Sequence, residues 1–144
     1  MRRMLIATML VIPVVGFAQK GKETEAVHQA AMNYVVAVYE SKPELIEQSV
    51  HPQLTKYGFM RQKDGTYKQG QMTYTQLLDV ARAWNKDRKQ DTSIKEVQVL
   101  DVLDQTATAK IRASWGIDYM QLAKFDGTWK IINIVWQTPP PAGS

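Results

Sequence analysis

The chain reads as an α+β domain in which helices lead and a curved antiparallel sheet of four to six strands follows. Three observations carry this. Apolar residues between Val27 and Val38 recur every three or four positions, whereas from Ile94 to Gln137 they recur every second position. Short polar turns punctuate the second region, and Asp126-Gly127 is a strong two-residue hairpin signal. Helices grouped ahead of strands, not alternating with them, point away from a parallel βαβ arrangement.

Taken in order, Glu23 to Glu40 is the first helix, with Val27, Ala30, Ala31, Tyr34, Val35 and Val38 on one stripe. Ser41-Lys42-Pro43-Glu44 combines a capping hydroxyl, an early proline and a glutamate three residues on, which starts a shorter helix through Leu45, Ile46 and Val50. His51-Pro52 ends it, because a residue before proline resists helical geometry. Leu54 to Gln62 and Thr66 to Met72 flank Lys63-Asp64-Gly65 as a small hairpin. Thr73-Tyr74-Thr75-Gln76 is a second capping box, opening a third helix with the stripe Leu77, Leu78, Ala81 and Trp84. Ile94 to Leu103, Thr106 to Trp115, Ile117 to Phe125 and Thr128 to Gln137 are then four long strands.

The ends carry their own signals. Arg2 and Arg3 precede the apolar run Met4 to Val15, and small residues lie at Gly16 and Ala18. That is the pattern of a secretory signal peptide cut after Ala18, and the run is too short for the roughly 20 residues of a bilayer span. The expected organisation is a signal peptide over residues 1–18, one domain over 19–138 and a Pro-rich flexible tail over 139–144. The location expected is the periplasm or beyond, with no membrane association after cleavage. Losing Arg2 and Arg3 lowers the formal net charge from +4 to +2, and the densest basic stretch, Asn85 to Asp91, is interrupted by Asp87. No nucleic-acid partner is expected from such a balance. With no Cys, there is neither disulfide nor thiolate chemistry. Two His are too few for the usual metal site, so no metal and no cofactor is expected.

A two-residue turn at Asp126-Gly127 pairs Phe125 with Thr128 and fixes the faces of the last hairpin. One face carries Asp118, Met120 and Leu122 opposite Val135, Asn133 and Ile131, with Lys124 and Trp129 near the turn. The other carries Ile117, Tyr119 and Gln121 opposite Trp136, Ile134 and Ile132. Both faces are apolar away from the turn. One packs on the helices; the other is too greasy to leave wet, and such patches mark interfaces. A symmetric homodimer through Ile117, Tyr119, Ile132, Ile134 and Trp136 is therefore expected. The alternative is that the tail or the early hairpin covers Trp115, Tyr119 and Trp136.

The order of elements resembles the nuclear-transport-factor-two-like (SnoaL-like) superfamily of α+β cones, and more narrowly the family described as "Putative lumazine-binding". The residues that carry the resemblance are Tyr34 with Tyr39, "HPQL" at His51 to Leu54, "YTQLLDVARAW" from Tyr74, "TATAKIRASW" from Thr106 and "DYMQLAKFDGTWKIINIVWQ" from Asp118. The resemblance implies a pocket between the concave sheet face and the helices, and an apolar or heteroaromatic small molecule as ligand. It also implies candidate chemistry, since enzymes of the superfamily often use Asp or His as base with a Tyr donor.

Within such a pocket Asp118 is the first catalytic candidate, because a partly desolvated carboxylate titrates nearer neutrality. Its competing role is a solvated strand end paired with a lysine. His51 is the second candidate, competing with a cap on the second helix; His28 reads as surface. Tyr34, Tyr57, Trp84, Met120 and Asn133 are the ligand-binding candidates, with Tyr67 beside Tyr57 at the mouth. Three functions stay open: an exported small-molecule-binding or accessory domain, a small hydro-lyase or isomerase using Asp118 or His51, and a dimeric scaffold whose core is self-filled.

Overall fold

The computed structural model describes residues 15–139; residues 1–14 and 140–144, which hold most of the expected signal peptide and tail, lie outside the described residues. Helices α1 (Val15–Glu40) and α2 (Pro43–Ser49) lead. Strands β1 (Val50–Arg61) and β2 (Tyr67–Met72) form the early hairpin, and α3 (Tyr74–Ala83) follows it. Strands β3 (Lys95–Val102), β4 (Thr106–Ala113), β5 (Gly116–Phe125) and β6 (Thr128–Gln137) complete one six-stranded sheet of order β2-β1-β6-β5-β4-β3. All neighbours are antiparallel except β1 and β6, which run parallel.

Local chemistry explains most boundaries. Thr73 caps α3 through its side chain to the Gln76 N–H, and the Gln76 side chain accepts from the Thr73 N–H at 2.8 Å, a complete capping box. The second helix is not capped by Ser41: Lys42 holds the N-cap position without a side-chain bond, and Ser41 takes a positive φ of 56° as the chain turns out of α1. Asp126 and Gly127 have φ of 47° and 79°, the left-handed pair a twisted two-residue hairpin requires. The first helix starts eight residues earlier than Glu23. It is held at that end by Glu23, which accepts from Trp129 Nε1 at 2.8 Å and pairs with Lys124 at 2.6 Å.

The sheet's inner face meets the three helices. Val27, Ala31, Val35, Ile46, Leu77, Ile111, Leu122, Ile131 and Ile134 are wholly or almost wholly buried there. In the last hairpin Phe125 pairs with Thr128 and Leu122 with Ile131, as the turn dictates. The register then slips: Gln121 faces Asn133, Met120 faces Ile134 and Asp118 faces Trp136, so Ile132 is an extra residue in β6. This β-bulge corrects the expected faces beyond that point. Ile134, expected at a dimer interface, is buried in the core, and Trp136 faces the helices with it. Asn133 goes to the outer face instead.

The physical reason is a choice between side chains. A regular ladder would bury the Asn133 amide, which without partners costs about 1–3 kcal/mol. Burying an isoleucine instead gains roughly 1.5–3 kcal/mol. Outside, Asn133 accepts from Thr55 Oγ1 at 2.6 Å and donates to Gln121 Oε1 at 3.0 Å. The gain exceeds the loss of about one ladder hydrogen bond.

Candidate functional site

Alternation along β1 turns Leu54, Lys56 and Gly58 inward, and all three are buried. A lysine on that face is the anomaly. Its Nζ donates to the Tyr34 hydroxyl at 2.5 Å and lies 3.6 Å from Asp118 Oδ1. Asp118, inward-facing on β5, is 0% exposed and Lys56 only 5%. Trp115 Nε1 donates to the other Asp118 oxygen at 3.0 Å, while Oδ1 has no hydrogen bond among the described residues. An ammonium, a carboxylate and a phenol thus meet where α1, β1 and β5 converge.

Tyr34 and Lys56 of this cluster stand on the wall of a cavity of about 310 Å³ between the sheet and α1 and α3. Tyr34, Lys56, Trp84, Trp115 and Trp136 line it, together with the aliphatic side chains of Val38, Leu77 and Val80 and the two methionines Met60 and Met72. Trp115 is edge-on to Tyr34, Tyr39 and Trp84, with ring centroids 5.2–6.0 Å apart, so the aromatic wall is continuous. Trp136 lies across Gly58: a Cβ there would come within 1.9 Å of its indole nitrogen, so only glycine allows this seat. Lys56 Nζ is 5.5 Å from the centre of that ring. A hollow of about 330 Å³ on the outer face, along Thr106, Thr108 and Gln121, holds none of the buried polar residues.

Electrostatics follow from burial. Desolvation pulls the Lys56 pKa below 10.5, and the nearby Asp118 charge opposes that pull. Burial pushes the Tyr34 hydroxyl well above its ordinary value, and Asp118 adds to the rise, so Tyr34 keeps its proton. Attraction between Lys56 and Asp118 at this distance is about 4–5 kcal/mol for an effective dielectric near 20, while removing each ion from water costs several kcal/mol. The pair is therefore close to neutral for stability. Perturbed groups of this kind, set beside a cavity, are a functional-site signature.

Of the expected site residues, Tyr34 and Trp84 line the cavity, and Asp118 lies directly behind Lys56. Met120 is packed in the core and is not among the lining residues. Asn133 is on the far face because of the bulge. Tyr57 and Tyr67 also point outward, Tyr57 donating to Gln69 Oε1 at 2.8 Å. His51 belongs to β1, not to a helix end. Its ring stacks on Phe125 at 4.3 Å and its Nδ1 accepts from the Gln53 N–H, away from Asp118. His28 is half-buried, its Nδ1 without a partner among the described residues, where a surface position was expected. Lys56 was missed, while Trp136, expected at a dimer interface, and Trp115, expected beside it, stand on the cavity wall. The signal for Lys56 was legible in Leu54-Thr55-Lys56-Tyr57-Gly58, where a lysine occupies an inward position. Among the described residues, no group of three or more His, Asp or Glu could hold a metal.

Three helices against a six-stranded, mostly antiparallel sheet, with an aromatic cavity between, define a nuclear-transport-factor-two-like α+β domain. Solved structures agree on the fold. The chain is similar to an NTF2-like protein of unknown function from Silicibacter pomeroyi, with a TM-score of 0.64, 13% identity, and 82% of this chain and 97% of that one covered. It is similar to one from Shewanella baltica with a TM-score of 0.61, 18% identity and coverage of 83% and 96%. It is also similar to an NTF2-like protein with a cystatin-like fold from Novosphingobium aromaticivorans, with a TM-score of 0.60, 10% identity and coverage of 91% and 90%. No curated protein matches the chain. The model of the family described as "Putative lumazine-binding" matches residues 22–137, and the chain belongs to that family.

Proposed function

We propose that this domain binds a small, flat aromatic or heteroaromatic molecule in the cavity between sheet and helices. The observation that carries the reading is one buried cation, Lys56, on the wall of a cavity shared with three indoles and a phenol. At about 310 Å³ the cavity is at the small end of ligand sites, suited to a ring system with few substituents. Lys56 has donors and no acceptor, so the ligand presents a carbonyl or ring-nitrogen acceptor toward it. A neutral acceptor suits the site better than a carboxylate, which would crowd a second anion against Asp118. The family's description supports a heteroaromatic ligand of the lumazine kind.

Three of the four tryptophans line the cavity, so their fluorescence reports its occupancy. Titration with lumazine is expected to quench that emission saturably and to raise the melting temperature. Absence of both effects would remove the reading.

A second reading is proton transfer, supported by the buried Asp118 beside Lys56; its place in the fold favours Asp118 over His51 for that role. Asp118→Asn is expected to leave lumazine affinity within a few-fold while ending any turnover. An open cavity counts against a self-filled scaffold. We also propose export with a cut after Ala18, supported by the basic start and the apolar run; the contacts of Glu23 with Trp129 and Lys124 lie beyond the cut. N-terminal sequencing of the secreted chain should begin at Gln19. The assembly proposed is a homodimer through the outer sheet face.

A further inference from the structure

We infer that Lys56 is a carbonyl-capturing amine: it forms a protonated imine with an aromatic aldehyde or ketone held in the cavity. This rests on the binding reading above and adds covalent chemistry to it.

Four features meet at one atom. Lys56 lines an apolar, aromatic cavity. Its Nζ is 5.1 Å and 5.5 Å from the ring centres of Tyr34 and Trp136 on the cavity wall, and the residue is nearly sealed from water. Desolvation favours its neutral form, the state that attacks a carbonyl. Asp118 Oδ1, 3.6 Å away and without a hydrogen bond among the described residues, can take the ammonium proton. Tyr34, its hydroxyl 2.5 Å from Nζ and still protonated, can serve the oxygen that develops charge. A lysine that served only to tie strands together would not need to stand on the cavity wall.

The steps balance. Lys56 gives a proton to Asp118, and the nitrogen lone pair forms a bond to the carbonyl carbon as the π pair moves to oxygen. Through the Tyr34 hydroxyl, a proton passes from the new ammonium nitrogen to that oxygen, giving a carbinolamine. Asp118 returns its proton to the hydroxyl, the C–O bond breaks, and water leaves. One ammonium and one carbonyl become one protonated imine and one water, and no oxidant or reductant is consumed. Aromatic walls suit a carbonyl conjugated to a ring.

The test is reductive trapping of the intact protein with benzaldehyde and cyanoborohydride, followed by peptide mapping. Lys56 is expected to carry the first adduct, about tenfold ahead of exposed lysines such as Lys63, Lys68 and Lys89. Saturating lumazine should slow that adduct and leave the exposed sites unchanged. The double variant Lys56→Met/Asp118→Asn, which removes both charges together, should lose the fast adduct; if it does not fold, the wild-type map decides alone. Modification of exposed lysines with Lys56 untouched overturns the inference. If lumazine still quenches the tryptophans in that sample, binding stands and only the imine falls. If neither occurs, both fall.

Discussion

Lys56 and Asp118 stabilise each other only as a pair. Truncating Lys56 to Met leaves a carboxylate with 0% exposure and, among the described residues, no other cation in ion-pair contact with it, for which a loss of about 3–5 kcal/mol is expected. Adding Asp118→Asn to that variant removes the stranded charge and keeps an acceptor for Trp115 Nε1. The double variant should therefore recover most of the loss in urea unfolding, and a double variant no more stable than Lys56→Met would show that the charges are not coupled. Gly58 is decisive in a different way. Its left-handed freedom is not used; what matters is the missing side chain, since Trp136 occupies the space of a Cβ. Gly58→Ala must push the indole off its seat and into the cavity, at a cost of about 1–3 kcal/mol. Lumazine affinity should fall at least several-fold and tryptophan emission should shift to the red; unchanged emission would mean the ring relaxes elsewhere without closing the pocket.

Elements were legible in the sequence where a local rule governs them. The capping box at Thr73 and Gln76, the Asp126-Gly127 turn and the period of two from Ile94 onward are each satisfied within a few residues, and each appears at or near its expected place. The bulge at Ile132 was not legible, because no local pattern separates it from a regular ladder. It is decided by competition between Asn133 and Ile134 for the core, which involves Thr55 on another strand. The site was legible only in part: the inward place of Lys56 can be read from the alternation along β1, but its meeting with Asp118 follows only after parallel pairing of β1 with β6 brings distant segments together. The anchoring of α1 yields a pH test. Glu23 has its carboxyl held below 4.5, first by the Lys124 hydrogen bond and then by that from Trp129. A depressed folded pKa means this contribution is complete above 4.5 and is lost as pH falls through the folded value. Wild-type protein should therefore lose melting temperature on acidification below 4.5 more steeply than Glu23→Gln. Parallel curves would show that the ion pair does not hold the helix.

At the scale of the molecule the bulge divides the sheet into a closed face and an open one. Removing Ile134 and Trp136 from the outer surface leaves a narrower patch than the hairpin pattern implied, but a continuous one. Tyr57, Val135 and Tyr119 are cross-strand neighbours in one row over β1, β6 and β5, and they are 37%, 42% and 52% exposed. Lys110 continues the row on β4, its Nζ 5.7 Å from the centre of the Tyr119 ring. Leu100, at the register slip of β3, extends the patch and is 51% exposed. A row of aromatic and branched side chains with a polar margin of Thr55, Asn133, Gln121 and Thr108 has the make-up of an interface centre and rim. A twofold axis through Val135 would lay one row on its copy and exclude water from both, which is why the occupant proposed is a second copy of this chain. Light scattering at about 50 μM, above even the weak, micromolar end of specific interfaces, should give twice the chain mass. Tyr119→Glu with Val135→Lys should give a monomer. Because the cavity opens on the opposite face of the sheet, that monomer should still quench with lumazine; a wild-type monomer, or a double variant that stays dimeric, would mean that this face is not where two copies meet.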